Sequence, residues 1–191
     1  MQTPEQARRI VESLVERGMV AGATAADAIY VGSRSSGVQV RLGELEDVAR
    51  SAGEEIGLRR FVGKRSASVA SSDLSKEVLD MLVERCLAMA KEAPEDPFAG
   101  LAPTELLHRG ELPCIDNEDS REPDPAELRE RALEAENAAL AIAGVTNSSG
   151  SGASASASTL ALATSGGFSG AYRTSGHGCS TTEKPPDVAS A

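Results

Sequence analysis

The 191-residue chain has no tryptophan, three phenylalanines and two tyrosines, so aromatic residues make up 3% of it. Any core must therefore be assembled from Ala, Val, Leu and Ile and will be thin in places, because the large rings that fill many interiors are missing. Basic residues are outnumbered 29 to 19 by acids, for a net charge of −10. No face is basic enough to neutralise a phosphate backbone, which argues against nucleic-acid binding. No apolar run reaches the roughly 20 residues that span a bilayer, and the opening residues read as a polar helix and not as a signal peptide. Cys86, Cys114 and Cys179 are odd in number and lack metal-like spacing, and Cys86 reads as a core residue on an apolar stripe. These exclusions leave a soluble protein of one domain or two small ones, expected in the cytoplasm.

What the sequence does contain is organised around Gly57 to Ala90. Leu58, Phe61 and Val62 mark a strand, Gly63-Lys64 a hairpin turn, and Ala67 and Val69 a second strand of alternating small residues. Ser75 is placed to cap a helix, with Glu77 in its first turn and Leu74 and Leu79 at the spacing of a hydrophobic staple. Val78, Leu79, Leu82, Val83, Cys86, Leu87 and Ala90 then make one apolar stripe.

Upstream, Thr3-Pro4-Glu5-Gln6 opens a helix with a capping box, Ala7, Ile10, Val11, Leu14 and Val15 form its buried side, and Gly18 is its expected stop. Ala28 to Val31 reads as a strand, Ser35-Ser36-Gly37 as a turn, and Val38, Val40 and Leu42 as the next strand. Gly43-Glu44 turns again into a shorter, more polar strand holding Leu45 and Val48, and Gly53-Glu54-Glu55 leads into the Gly57 strand. Strand following strand through short turns implies an antiparallel meander covered by two helices, an α+β fold, over residues 1–93.

Residues 94–123, rich in proline and acids, read as a linker in which Glu105-Leu106-Leu107 fits a single helical turn. Residues 124–178 read as a second small region of one helix and strands. Asp124-Pro125-Ala126-Glu127 opens its helix, whose apolar side is Leu128, Ala132, Leu133, Ala135, Ala139, Leu140 and Ile142, with Gly144 as the stop. By composition Ser148 to Ser158 is a flexible linker, whereas Leu160, Leu162 and a Gly166-Gly167 turn into Phe168 and Tyr172 favour a strand pair; composition leaves both open. Residues 179–191 lose apolar alternation and are expected to be disordered.

Candidate chemistry is sparse. Ser71-Ser72-Asp73 has no histidine near it in sequence and is better explained by the following helix cap than as a nucleophile. Gly166-Gly167, Gly170 and Gly176 lack a GxxxxGK[ST] pattern and read as turns. Asp116, Glu118, Asp119, Glu122 and Asp124 lack the glycine and terminal glutamate of a calcium loop and read as a solvated acidic linker.

Four runs, GLRRFVGKRSASVASSDLS (Gly57 to Ser75), APEDPFAGLAPTELL (Ala93 to Leu107), GVTNSSG (Gly144 to Gly150) and SGGFSGAYRTSGH (Ser165 to His177), resemble in order and spacing the N-terminal part of the TldD/PmbA family, closest to its PmbA (TldE) branch. The resemblance spans residues 26–177 and implies that the Ser/Ala segment is an irregular strand pair. It also implies a cytoplasmic metalloprotease assembly acting in proteolysis, in which the TldD-type subunit carries a zinc-binding HExxxH helix and the TldE type does not. That motif needs two histidines on one helix face and a glutamate to activate water. Here His108 and His177 stand far apart and neither is followed by glutamate, so His108 reads as a surface residue and no metal site carries over.

The expectation is thus a scaffold and interaction region of a PmbA/TldE-like subunit, with a TldD-like subunit as partner and peptide as the assembly's substrate. Catalytic, cofactor-binding and metal residues are none in this chain, and zinc is expected only in the TldD-type partner. Whether the chain is itself an enzyme is left open, since the family implies a metallopeptidase and no catalytic constellation is visible. The alternative is a stand-alone interaction module or a truncated, inactive fragment, because the tail GCSTTEKPPDVASA stands where the family pattern expects an apolar strand.

Overall fold

A computed structural model describes residues 1–184 of the chain. In order it contains α1 (Pro4–Val20), β1 (Ala25–Arg41), β2 (Glu44–Val62), β3 (Arg65–Ser71), α2 (Lys76–Glu92), a 3-10 turn (Thr104–Leu106), α3 (Pro125–Leu140), β4 (Asn147–Thr164) and β5 (Ser169–Lys184). The strands form one five-stranded antiparallel sheet in the order β3-β2-β1-β4-β5. The α+β class and the first three strands as a meander are as expected.

Helix starts follow their local chemistry. Thr3 and Gln6 cap each other reciprocally at 3.0 and 3.2 Å, as do Asp124 and Glu127 at 2.8 and 2.9 Å. Ser75 departs from expectation: its hydroxyl makes no cap, and Asp73 instead accepts the Ser75 amide at 2.8 Å. Gly18 does not end α1, which runs on to Val20.

The strands are longer than the turn residues suggested. Ser35-Ser36-Gly37 lies inside β1, and Gly53-Glu54-Glu55 inside β2. The reason is phase. Ala26, Ala28, Tyr30, Val38 and Val40 are all buried and all even-numbered, so the two apolar halves of β1 belong to one uninterrupted pleat. Both real turns, Leu42-Gly43 and Gly63-Lys64, fall where glycine takes a positive φ, +83° at Gly43 and +60° at Gly63.

The Ser/Ala segment is β4. Ala153, Ala155, Ala157, Ala161 and Ala163 point inward on a period of two, so the linker reading fails and the strand reading holds. Small side chains suffice because helices lie close above them. Residues 179–184, expected to be disordered, continue β5; the rest of that expected tail, residues 185–191, lies outside the described residues.

The described chain divides into two compact units, each taking parts of β1, β2, β4 and β5. In the first (residues 1–33, 53–116 and 158–173), Val11 and Leu14 of α1 and Leu82, Val83 and Cys86 of α2 pack on Ala28, Tyr30, Ile56 and Leu58 of the sheet. In the second (residues 34–52, 117–157 and 174–184), Leu128 and Ala132 of α3 pack on Val38, Val40, Ala153 and Ala155. Residues 94–123 hold one short 3-10 turn, yet part of them is pinned. The Asp96 amide donates to the Lys64 carbonyl at 2.9 Å, and Lys64 Nζ donates to the Ala99 carbonyl at 3.1 Å.

Candidate functional site

The residues that could carry chemistry do not converge. Ser71 Oγ accepts the Asp73 amide at 3.0 Å, and Asp73 sits below the usual carboxylate range because it accepts hydrogen bonds from Ser75. This is a turn ahead of α2, not a nucleophile and base. His108 Nε2 lies 3.0 Å from the Glu111 carbonyl. His177 Nε2 lies 2.5 Å from Asp119 Oδ2, and the Asp119 amide donates to Ser175 Oγ at 2.8 Å. Among the described residues no three His, Cys, Asp or Glu side chains stand close enough to share a metal ion. The described residues thus hold no donor set that would fit the zinc of a metallopeptidase. Gly166-Gly167 forms the β4–β5 turn, while Gly176 sits inside β5.

The acidic residues of the linker are used locally. Glu122 pairs with Arg34 at 2.6 Å, Asp119 with His177, and Asp124 caps α3. Cys86 is fully buried, its thiol 3.5 Å from the Leu58 carbonyl and 3.3 Å from the Ala67 carbonyl, and burial pushes its ionisation up. That makes it an unreactive core residue, as expected.

Two buried charges escaped the sequence reading. Arg60 is fully buried in the first unit; its guanidinium donates to the Val83 carbonyl of α2 at 2.7 Å and to the Gly18 carbonyl at the end of α1. It meets no carboxylate and relies on carbonyls, one of them in the last turn of α1, where the helix dipole favours a cation. Glu136 is fully buried in the second unit, where it accepts the amides of Leu42 and Gly43 and the Ser148 hydroxyl at 2.9, 2.8 and 2.6 Å. Its signal was its position: Leu128, Ala132 and Glu136 are spaced by four, on the buried side of α3. Both residues are built into the interior and offer nothing to a substrate.

One feature open to a ligand or partner is a face of the sheet in the first unit. Odd-numbered residues of β1 point away from α1 and α2, and Ile29 and Val31 are 43% and 38% exposed. Leu162 on β4 and Tyr172 on β5 are also uncovered, at 37% and 45%. Two adjoining hollows of about 440 and 370 Å³ both have Ile29 and Leu162 in their lining, the second being walled also by Leu112, Pro113 and Ile115, and together they form an apolar trough. Gly57 keeps its floor open, since a Cβ there would stand 3.2 Å from Ile29 Cγ2. Near one end lies an ion pair in which Arg59 donates to both Asp27 oxygens, at 3.0 and 2.5 Å, while stacking 5.1 Å from the Phe61 ring. The trough is mostly apolar, with one closed ion pair and with Ser68 and Tyr172 also in its lining, a surface suited to binding.

Comparison with known proteins gives the context. Residues 26–90 match the family model for PmbA/TldA metallopeptidase domain 1, and residues 118–182 match that for the PmbA/TldA metallopeptidase central domain. The chain is 32% identical over 139 residues to metalloprotease PmbA of Escherichia coli O157:H7, a match covering 71% of this chain and 31% of that protein. It is also 32% identical over 136 residues to a PmbA homolog of Haemophilus influenzae, covering 71% and 30%. The chain thus spans about a third of the length of the curated relatives it matches. Its fold is shared with a proposed modulator of DNA gyrase from Bacteroides thetaiotaomicron (TM-score 0.87, 17% identity, 100% of this chain and 44% of that one). It is shared as well with TldE from Thermococcus kodakarensis (TM-score 0.79, 16% identity, 94% and 40%).

Proposed function

This chain belongs to the PmbA/TldD family of metallopeptidases, and from that premise we propose that it serves as the scaffold and interaction region of a PmbA/TldE-like subunit. In this reading it joins a TldD-like subunit in an assembly that degrades or trims peptides in the cytoplasm, and it supplies no catalytic group itself. Zinc and the water it activates belong to the partner. No described helix is long and apolar enough to cross a membrane.

The observation that carries the reading is the apolar trough on the first unit, centred on Ile29 and Leu162 and holding one closed ion pair, Asp27–Arg59. An apolar face of this kind on an otherwise acidic protein favours a protein partner over a small polar substrate.

Mixing the full chain with a TldD-type subunit tests it, with co-migration on gel filtration and cleavage of an unstructured peptide as readouts. Co-migration is expected, and Ile29→Glu with Leu162→Glu is expected to abolish it while leaving the circular dichroism unchanged. No complex and unaltered cleavage would leave only a free-standing interaction module. Peptide turnover by the chain alone, with added zinc, would overturn the non-catalytic reading.

A further inference from the structure

A second hollow, of about 550 Å³, lies wholly within the second unit and is unlike the trough in chemistry. Its walls include Arg34 and Ser36 of β1, Arg50 and Ser51 of β2, and Glu122 and Pro123 ahead of α3. In a chain with ten more acids than bases, its lining holds two arginines, Arg34 and Arg50, against two acids, Glu122 and Asp124.

Their present use is incomplete. Arg34 brings both Nε and Nη2 to the same oxygen, Oε1 of Glu122, each at 2.6 Å. Elsewhere in the protein the guanidinium fork is matched to both carboxylate oxygens: Arg121 holds the two of Glu127 at 2.6 and 2.7 Å. The Arg34 pair is also open to solvent, its side chains 46% and 38% exposed, and Arg50 has no ion-pair or hydrogen-bond partner among the described residues. The other acid on the cleft, Asp124, is occupied in capping α3, where it accepts the Glu127 amide at 2.9 Å.

The geometry points to a binding site for a peptide carboxylate in this cleft, with Glu122 as the internal occupant that gives way to it. A ligand carboxylate can take the two donors of the Arg34 fork on two separate oxygens, whereas Glu122 meets both with Oε1 alone, and Arg50 adds the second charge. Ser36, two residues from Arg34 on the same face of β1, also lines the cleft. A carboxylate is favoured over a phosphate because the position already holds one, and because Glu122 and Asp124 beside it oppose a dianion. The carboxylate can come from a peptide's C-terminus or from an acidic side chain. Only in identifying the ligand as the assembly's peptide does this inference rest on the function proposed above; its test uses the chain alone, so the two readings fail separately.

The test is a titration of the full isotope-labelled chain followed by amide NMR. The probes are N-acetylated penta-alanine with a free C-terminus, its C-terminal amide, and an amidated analogue with glutamate at the centre. The free acid is expected to shift the amides of residues 34–36 and 50–52, and the plain amide is not. A response to the central-glutamate peptide would assign side-chain carboxylates to the site as well. Arg50→Ala, at an exposed strand position, should weaken binding about tenfold or more, as expected for loss of a charged hydrogen bond. Glu122→Gln should strengthen it up to about fivefold, the scale of an exposed ion pair. Equal shifts with acid and plain amide, no shifts in either wild type or Glu122→Gln, or equally tight displacement by inorganic phosphate would each overturn the assignment.

Discussion

Glu136 on α3 accepts the Gly43 amide at 2.8 Å, across 93 residues of sequence, and so fixes the turn between β1 and β2 from beneath. Leu42, the other turn residue, has a φ of +50°, a conformation that a side chain disfavours, and its amide is held by the second carboxylate oxygen. Glu136→Ala is expected to cost about 2–4 kcal/mol, because it strands two turn amides and the Ser148 hydroxyl. Burial alone would push the Glu136 carboxyl up, but the Ser148 hydroxyl, the Gly43 and Leu42 amides and nearby Arg41 together hold it below the ordinary value. The unfolded chain therefore binds the proton first as pH falls, and the stabilisation, complete above the ordinary glutamate range, is lost as pH drops through the depressed native value. Urea unfolding of wild type and Glu136→Gln at a series of pH values checks this: the gap between them should be widest near neutrality and should shrink on acidification.

Arg60 holds α1 and α2 to β2 through the carbonyls of Gly18 and Val83, and no buried anion offsets its charge. Burial lowers its basicity, although an arginine keeps its proton in any case. Arg60→Ala should cost about 3 kcal/mol, from lost hydrogen bonds and the space left behind. Arg60→Met fills that space and removes the buried charge, and should recover most of the loss. If methionine proves as harmful as alanine in chemical denaturation, the guanidinium contacts matter more than the packing.

Much of this fold was legible from local chemistry, and what was not shares a cause. The reciprocal caps of Thr3 with Gln6 and Asp124 with Glu127 announced their helices, and Gly43 and Gly63 announced their turns, because each depends on residues a few positions apart. Ser35-Ser36-Gly37 misled, since turn-forming residues there are overruled by the phase that Tyr30 and Val38 share. Alanine and serine in β4 left linker and strand both open by composition, and the choice becomes clear once Leu128 and Ala132 are seen packed on Ala153 and Ala155. Arg60 and Glu136 were missed because the groups that satisfy them lie 12 to 94 residues away and are mostly backbone, which carries no sequence signal. The trough was hidden for a similar reason: Ile29 and Leu162 meet only once β1 and β4 are neighbours.

Gly18 offers a test of the same lesson. It read as a helix stop, yet it lies within α1, buried, with no positive φ. A Cβ there would stand 3.5 Å from Ala26 Cβ and 3.6 Å from Arg60 Nε, which is ordinary contact. Gly18→Ala should therefore stabilise the protein by about 0.5–1 kcal/mol through helix propensity. A lower melting temperature would show that the close approach of Arg60 needs the missing side chain.

Tyr30 gives the last prediction. Its ring is fully buried, its hydroxyl donates to Glu54 Oε2 at 2.8 Å and accepts the Gln2 amide at 2.9 Å. Burial is the main reason its ionisation is pushed up to about 12, with Glu54 adding to it and the Gln2 amide working against it. In the unfolded chain the phenol ionises near 10, so between about 10 and 12 the native state holds a proton that the unfolded state has lost. Stability from this group is thus complete below pH 10 or so and declines as pH rises through that window. Ultraviolet titration should show the Tyr30 phenolate only as the fold gives way, and Tyr30→Phe should flatten the alkaline decline at a cost near neutrality of about 1 kcal/mol. A phenolate that forms near pH 10 with the fold intact would mean that water reaches the ring, and that the start of α1 does not seal this end of the core.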